Sequence, residues 1–152
     1  MLIGEELIND VFNAWLKKHN FQVRVEGLDN DFGWNYKTNR IFYSFVYGAQ
    51  YDDDFHRVCD ELGLKYDIDI FWLSLLHEIG HSMTFHTLTD EEIDEAFDLE
   101  GVDYYYCHRE IIATEWAVNF VNNCLDLVIE LMEWVKPAIN QFFVANNIEA
   151  DE

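Results

Sequence analysis

Proline is nearly absent from this chain, cysteines are few, and no long apolar run occurs. Pro137 is the only proline among 152 residues, so long helices can run uninterrupted. Cys59, Cys107 and Cys124 form no CxxC pair, and residues 1–6 are acidic rather than basic, unlike a signal peptide. No apolar run reaches the length of about 18 residues that a membrane span needs. These absences predict a cytoplasmic protein with reduced thiols and no membrane association.

Basic residues are far outnumbered by acidic ones. Lys and Arg number 9 against 30 Asp and Glu, which gives a net charge of −21. Such a surface repels phosphates, so we expect no direct binding to nucleic acid or to anionic membranes, and the charge favours a basic partner or substrate. The hydrophobic fraction of 50% predicts one folded domain, residues 1–148, followed by an acidic tail at 149–152.

Hydrophobic periodicity predicts strands first and helices afterwards. An amphipathic helix at 5–20 precedes strand-like runs at 21–26, 32–37 and 40–47, the last two joined by a tight turn at residues 38 and 39. After a loop at 48–54, a short helix is predicted at 55–64, followed by a motif helix that Asp67 or Asp69 caps and that ends near residue 86. A capping box opens the next predicted helix, at 89–99. A long helix at 104–134 and a last helix that Pro137 starts or kinks complete the chain. This layout predicts an α+β domain in which a small antiparallel or mixed sheet packs on a helical bundle.

The residues His77-Glu78-Ile79-Gly80-His81 read H-E-x-x-H within a segment that is apolar nearly all round. On a helix the two histidines lie one turn apart on one face, so both imidazoles can reach one ion. Glu78 is then placed to take a proton from water held on that ion. Polar groups on a buried helix need partners, which a metal supplies and which ordinary hydrogen bonds can also supply. The motif predicts a Zn²⁺ site in a hydrolase.

A catalytic zinc site needs a third protein ligand and an open position for water. A third motif histidine is missing, because Thr87 stands where the longer H-E-x-x-H-x-x-G-x-x-H pattern requires it. Glutamates on the later helix are better candidates. Glu110 is followed at helical spacing by the small residues Ala113 and Ala117, which would let two helices approach closely. Glu115 has bulkier neighbours, so we favour Glu110 and keep Glu115 as the alternative.

Residues 110–117, E-I-I-A-T-E-W-A, resemble the signature E-x-x-A-[DN]-x-[aromatic]-A of gluzincin-type peptidases. That signature recurs in the soluble ImmA/IrrE-type metallopeptidases of phages and bacteria and in the membrane CAAX prenyl proteases, whose H-E-[LI]-G-H motif is similar to the one in this chain. The resemblance covers roughly residues 40–120, with Thr114 where those families usually have Asp or Asn. It implies a zincin-like fold, a metallopeptidase acting on a protein or peptide substrate, and Zn²⁺ held by the two motif histidines and Glu110.

The mechanism implied by this resemblance uses Glu78 as general base and one further donor for the oxyanion. The candidate donors are His108 and the tyrosines Tyr104, Tyr105 and Tyr106. The run at 40–47 would bind an extended peptide if it lay at a sheet edge, and would otherwise be a core strand.

The charge of the chain also permits a function without catalysis. A compact protein with a net charge of −21 can imitate DNA and occupy a basic cleft on a nucleic-acid enzyme. For such an inhibitor zinc would be structural or absent, and its function would survive the substitution Glu78→Gln.

Overall fold

Seven helices and three strands form the part of the chain that the computed structural model describes, residues 2–46 and 49–147. The strands are β1 (Arg24–Leu28), β2 (Gly33–Asn35) and β3 (Arg40–Tyr43). The helices are α1 (Glu5–Lys18), α2 (Ala49–Glu61), α3 (Ile70–Thr84), α4 (Asp90–Glu95), α5 (Val102–Tyr106), α6 (His108–Asn123) and α7 (Leu125–Ala145), and short 3-10 turns at Phe85–Thr87 and Ala96–Asp98 follow α3 and α4. The predicted α+β class is confirmed. The predicted tail at 149–152 and the predicted domain end at 148 lie outside the described residues.

The sheet is mixed, with the strand order β1-β3-β2. β1 runs parallel to β3, with Val25 opposite Ile41, and β2 runs antiparallel to β3, with Asn35 opposite Arg40. Four residues therefore join β2 to β3 instead of the predicted two, and Asn39 closes the turn in the left-handed region at φ 53°. β3 is paired on both sides and is therefore not an edge strand. Of the two readings that the sequence left open for the run at 40–47, the structure supports the core strand over residues 40–43. Among the described strands, β1 and β2 form the edges.

The apolar stripe of α1 fills the space between the sheet and α7. Ile8, Phe12 and Trp15 are almost completely buried there, which removes apolar surface from water. The polar edges of this core are satisfied, since Trp15 Nε1 donates a hydrogen bond to the Leu127 carbonyl at 3.2 Å. The predicted amphipathic helix is thus confirmed, with its end at Lys18.

The helical half differs from the prediction in three places. α2 begins at Ala49, so most of the predicted loop at 48–54 is helical, and an acidic first turn is favourable at a helix N-terminus. The predicted long helix at 104–134 is divided by breaks at Cys107 and Cys124. Pro137 lies inside α7 and does not start a helix, because the buried side chains on both sides of it hold the helix through tertiary packing. The capping box of Thr89 and Glu92 is confirmed.

The three cysteines are unpaired, and the described helices are short or polar. Cys59, Cys107 and Cys124 are free thiols, and burial raises the pKa of the Cys59 thiol to about 12. Within residues 2–46 and 49–147, no helix combines the length and the apolar character that crossing a bilayer requires.

Candidate metal centre

Helix α3 carries the two motif histidines and Glu78 on its side facing α6. The rest of α3 is anchored by fully buried apolar side chains, including Leu73, Leu76 and Ile79. His77, Glu78 and His81 are themselves buried, and their nitrogen and oxygen atoms lie within 4.8 Å of one another. Hydrophobic burial therefore fixes the helix, and the polar residues take the side where α6 approaches.

Glu110 brings a carboxylate from α6 to both imidazoles. Its Oε1 lies 3.1 Å from His77 Nε2 and 3.2 Å from His81 Nε2. Glu110 is almost completely buried, whereas Glu115, the alternative third ligand, is exposed on another face of α6. Among the two glutamates considered from the sequence, Glu110 is thus the one that the structure brings to the motif.

Gly80 makes this approach of the two helices possible. A Cβ atom at position 80 would lie 3.0 Å from the carbonyl carbon of Ala113 and would clash with its carbonyl oxygen. Ala113 and Ala117 are fully buried at the same contact, as the small residues in the sequence predict. The helix pair is therefore packed backbone against backbone, which lets a short glutamate side chain reach the histidines.

Thr114 fixes the orientation and the tautomer of His77. The Thr114 hydroxyl donates to the Glu110 main-chain carbonyl at 3.0 Å, so its oxygen accepts from His77 Nδ1–H at 2.9 Å. With its proton on Nδ1, a neutral His77 turns the lone pair of Nε2 toward the Glu110 carboxylate. A lone pair and a carboxylate repel each other unless a cation, either a proton or a metal ion, lies between them. Thr114 thus orients the His77 ring toward Glu110.

Burial and charge act in opposite directions on the carboxylates of this cluster. Burial raises the pKa of Glu78, only partly offset by His81 and His77. Burial would also raise the pKa of Glu110, but the hydrogen bonds from His77 and His81 outweigh it and hold that pKa far below its usual value. Burial lowers the pKa of His81, yet the hydrogen bond to Glu110 outweighs this and leaves it raised. The pKa of Glu110 is therefore lowered and that of Glu78 raised, which separates the two carboxylates of the cluster.

The donor set fits a zinc ion. Two imidazole nitrogens and one carboxylate oxygen are common ligands of catalytic zinc, and at metal distances of about 2.0–2.1 Å the ligand atoms of a tetrahedron lie about 3.3–3.4 Å apart. The separations of 3.1 and 3.2 Å from Glu110 Oε1 are close to this edge length. Glu78 Oε2 is farther, at 4.0 Å from His77 Nε2, which suits a residue beside the ion rather than on it.

The cluster opens into a cleft of about 280 Å³ with aromatic walls. Trp34 of β2 lies nearly parallel to the His81 ring, with centroids 6.2 Å apart, and Tyr36 stacks on Phe85 at 5.3 Å. The remaining lining residues are Phe32, Gly33, Phe55, His77, Glu78, Tyr104, Tyr105, Arg109 and Glu110. A polar floor under aromatic walls is typical of a small-molecule or peptide site.

Not all of the predicted donors reach this cleft. Tyr104 and Tyr105 line it, whereas Tyr106 is exposed and donates its hydroxyl proton to Glu61. His108 does not line it, since its half-exposed ring turns to Glu92, with Nε2 3.0 Å from the carboxylate. The prediction of His108 as a catalytic donor is corrected on this geometry, because residue 108 begins α6 on the side of α4.

Sequence reasoning missed Arg109 and the aromatic wall. Arg109 Nε donates to Glu110 Oε2 at 3.0 Å, and Nη2 donates to the Tyr104 hydroxyl at 3.2 Å. Its position directly before the candidate ligand Glu110 was a usable signal, because a neighbouring cation can hold the second carboxylate oxygen. The contribution of Trp34 and Phe85 had no comparable local signal, since it depends on how the sheet packs on α3.

Comparison of the chain with models of protein families, with curated proteins and with solved structures gives no match. The geometry of the cluster and its cleft therefore carries the functional argument by itself.

Proposed function

We propose that this protein is a zinc-dependent peptidase with a zincin-like fold, similar to the soluble ImmA/IrrE-type metallopeptidases. The proposed ligands are His77, His81 and Glu110. The proposed setting is the cytoplasm, in agreement with the free thiols, and the proposed substrate is a protein or peptide, with basic ones favoured by the charge of −21.

One observation carries the proposal. The Thr114 hydroxyl and the Glu110 carboxylate hold the two sides of the His77 ring, so that Nε2 and the carboxylate oxygen face each other at 3.1 Å. His81 Nε2 faces the same oxygen at 3.2 Å. Three buried ligand atoms that converge on one point need a cation between them, either a proton or a metal ion, and this set of donors suits zinc.

Zinc bound at this point would lower the pKa of a water to about 7 and polarise the scissile carbonyl. Glu78 lies at the cleft beside His77, where it would act as the general base toward the attacking water and return the proton to the leaving amine. Its raised pKa brings it nearer to the working pH of such a base.

Tyr104 supports the developing oxyanion. Burial, followed by the charge of Glu110, raises the pKa of Tyr104 to about 12, so its hydroxyl keeps a proton to donate. Because that hydroxyl accepts from Arg109 Nη2, its own proton remains available for the substrate. β2, an edge strand whose Gly33 and Trp34 line the cleft, offers free main-chain groups to an extended peptide.

The test combines metal content with turnover in the full chain. We expect the purified protein to hold one zinc per chain by elemental analysis, and to cleave a quenched-fluorescent peptide library in a reaction that chelation stops and added zinc restores. Glu78→Gln should keep zinc and lose cleavage. Glu110→Gln should lose zinc, whereas Glu115→Gln should keep both zinc and cleavage, because Glu115 is exposed.

The control for Glu78→Gln is Glu91→Gln, the same change at an exposed position of α4. Full cleavage by Glu78→Gln would end the peptidase mechanism. Zinc retained at full stoichiometry in Glu110→Gln would contradict the ligand set. Stoichiometric zinc without any cleavage in the unaltered chain would favour the acidic inhibitor that the charge also permits.

A further inference from the structure

Arg109 is the only Lys or Arg among the described side chains that line the cleft. Its side chain is only 17% exposed and is held from two directions. Nε donates to Glu110 Oε2 at 3.0 Å, and Nη2 donates to the Tyr104 hydroxyl at 3.2 Å. The guanidinium is thus hydrogen-bonded to Glu110, the candidate ligand, on one side and to Tyr104, the proposed oxyanion donor, on the other.

Two aromatic rings restrain the same guanidinium. Its central carbon lies 5.5 Å from the ring centroid of Phe97 and 6.0 Å from that of Tyr104. A guanidinium held against aromatic faces is poorly hydrated and loses little freedom when it binds a ligand. Arg109 is therefore organised before any substrate arrives.

One amino group of Arg109 has no protein acceptor. A guanidinium carries five N–H donors, and the bonds to Glu110 and Tyr104 use Nε and Nη2. Within the described part of the chain, the two N–H groups of Nη1 donate to no side chain or carbonyl. Since Arg109 lines the cleft, these donors are available to a bound ligand.

The charge of the loaded site favours an anion. With a divalent ion bound, the ion and Arg109 would contribute three positive charges against two negative ones from Glu78 and Glu110, so the cleft would be net positive inside a protein of charge −21. A carboxylate is the anion that a peptide itself carries, at its C-terminus or on Asp and Glu, and an arginine N–H donates a charge-assisted hydrogen bond to it.

We propose that Arg109 binds a substrate carboxylate next to the scissile bond through its Nη1 amino group, and so selects peptides that are anionic at that position. The carboxylate comes either from a free C-terminus or from an Asp or Glu side chain. This inference rests on the proposed peptidase function and names the substrate class of that site.

The experiment measures binding to the zinc-loaded, full-length Glu78→Gln variant, which should hold substrate without cleaving it. Three probes are titrated by calorimetry: acetyl-Phe-Ala with a free carboxylate, its C-terminal amide, and acetyl-Phe-Asp amide. We expect at least one anionic probe to bind about tenfold or more tightly than the neutral amide, as expected for a charge-assisted hydrogen bond. The anionic probe that binds better identifies the source of the carboxylate.

The preference should depend on Arg109. Adding Arg109→Gln should reduce the ratio between anionic and neutral probes to about twofold or less, while Arg57→Gln, the same change at an exposed arginine outside the cleft, should leave the ratio unchanged. Zinc content and circular dichroism report whether each variant is folded. If Arg109→Gln does not fold, Tyr104→Phe removes only the hydroxyl that holds Nη2, and the ratio should fall by about twofold to fivefold.

Equal binding of all probes would overturn the inference, and so would a failure of the anionic probes to bind at millimolar concentration. A preference for anionic probes that persists in Arg109→Gln would also overturn it, because the carboxylate would then bind elsewhere. Equal binding combined with loss of turnover alone in Arg109→Gln would assign Arg109 to the oxyanion instead. Each outcome is separate from a failure of the peptidase proposal, which is judged from zinc content and from cleavage of amidated peptides.

Discussion

The two walls of the cleft differ in how tightly their side chains are packed. The helix wall, α3 against α6, is packed without spare room, and its polar residues are buried and bonded to one another. The sheet wall, β2 with the 3-10 turn at Phe85–Thr87, consists of partly exposed aromatic rings, among which Tyr36 is 58% exposed. Ligand geometry requires tight packing, whereas recognition of varied peptides tolerates looser contacts. Under the proposed function, this difference would place the metal ligands on the helix wall and the aromatic contacts to the substrate on the sheet wall.

Glycines on the two walls give the sharpest test of this comparison. Gly80→Ala should destabilise the protein by about 3 kcal/mol, the upper part of the range for overpacked cores, because the new methyl group meets the Ala113 backbone rather than a movable side chain. The helices would separate, so we also expect zinc to fall below one per chain. Thermal unfolding and elemental analysis measure both effects.

Gly33→Ala on β2 is the matched control, since a Cβ there meets nothing within 4 Å. We expect a change in stability of no more than about 0.5 kcal/mol and full zinc content. Equal losses in both variants would mean that the walls do not differ in packing.

Prediction from sequence succeeded where local chemistry decides the result. The stripe of α1 and the capping box at Thr89 are decided within a few turns of one helix. The small residues after Glu110 predicted a close approach to another helix because their spacing alone puts them on one face of α6. Prediction from sequence left the place of β3 in the sheet open, and it failed for the helix that runs through Pro137 and for His108, whose ring turns toward Glu92. Each of these depends on contacts between segments far apart in sequence, which periodicity does not report.

Substitutions of Thr114 test whether zinc binding by the helix wall depends on the hydrogen bond that orients His77. Thr114→Val keeps the shape but leaves His77 Nδ1–H without its acceptor, so we expect zinc affinity to fall by about tenfold, the lower end for groups that orient a metal ligand. Thr114→Ser keeps a hydroxyl and should bind zinc almost as well as the unaltered chain. Competition with a chromophoric chelator gives both dissociation constants. Equal affinities for the valine and serine variants would show that the hydroxyl does not orient His77.

The smallest expected effect is that of a substitution on the sheet wall. Tyr36→Ala removes a ring that stacks on Phe85 at the edge of the cleft, so we expect unchanged zinc content and stability. KM for a cleaved peptide should rise by about threefold while kcat stays constant, because one aromatic contact is worth about 0.5–1.5 kcal/mol and no ligand moves. Tyr66→Ala, a change of another exposed tyrosine that does not line the cleft, should leave KM unaltered. A fall in kcat or in zinc content for Tyr36→Ala would show that the aromatic wall also supports the metal site, and the separation of roles between the two walls would then be wrong.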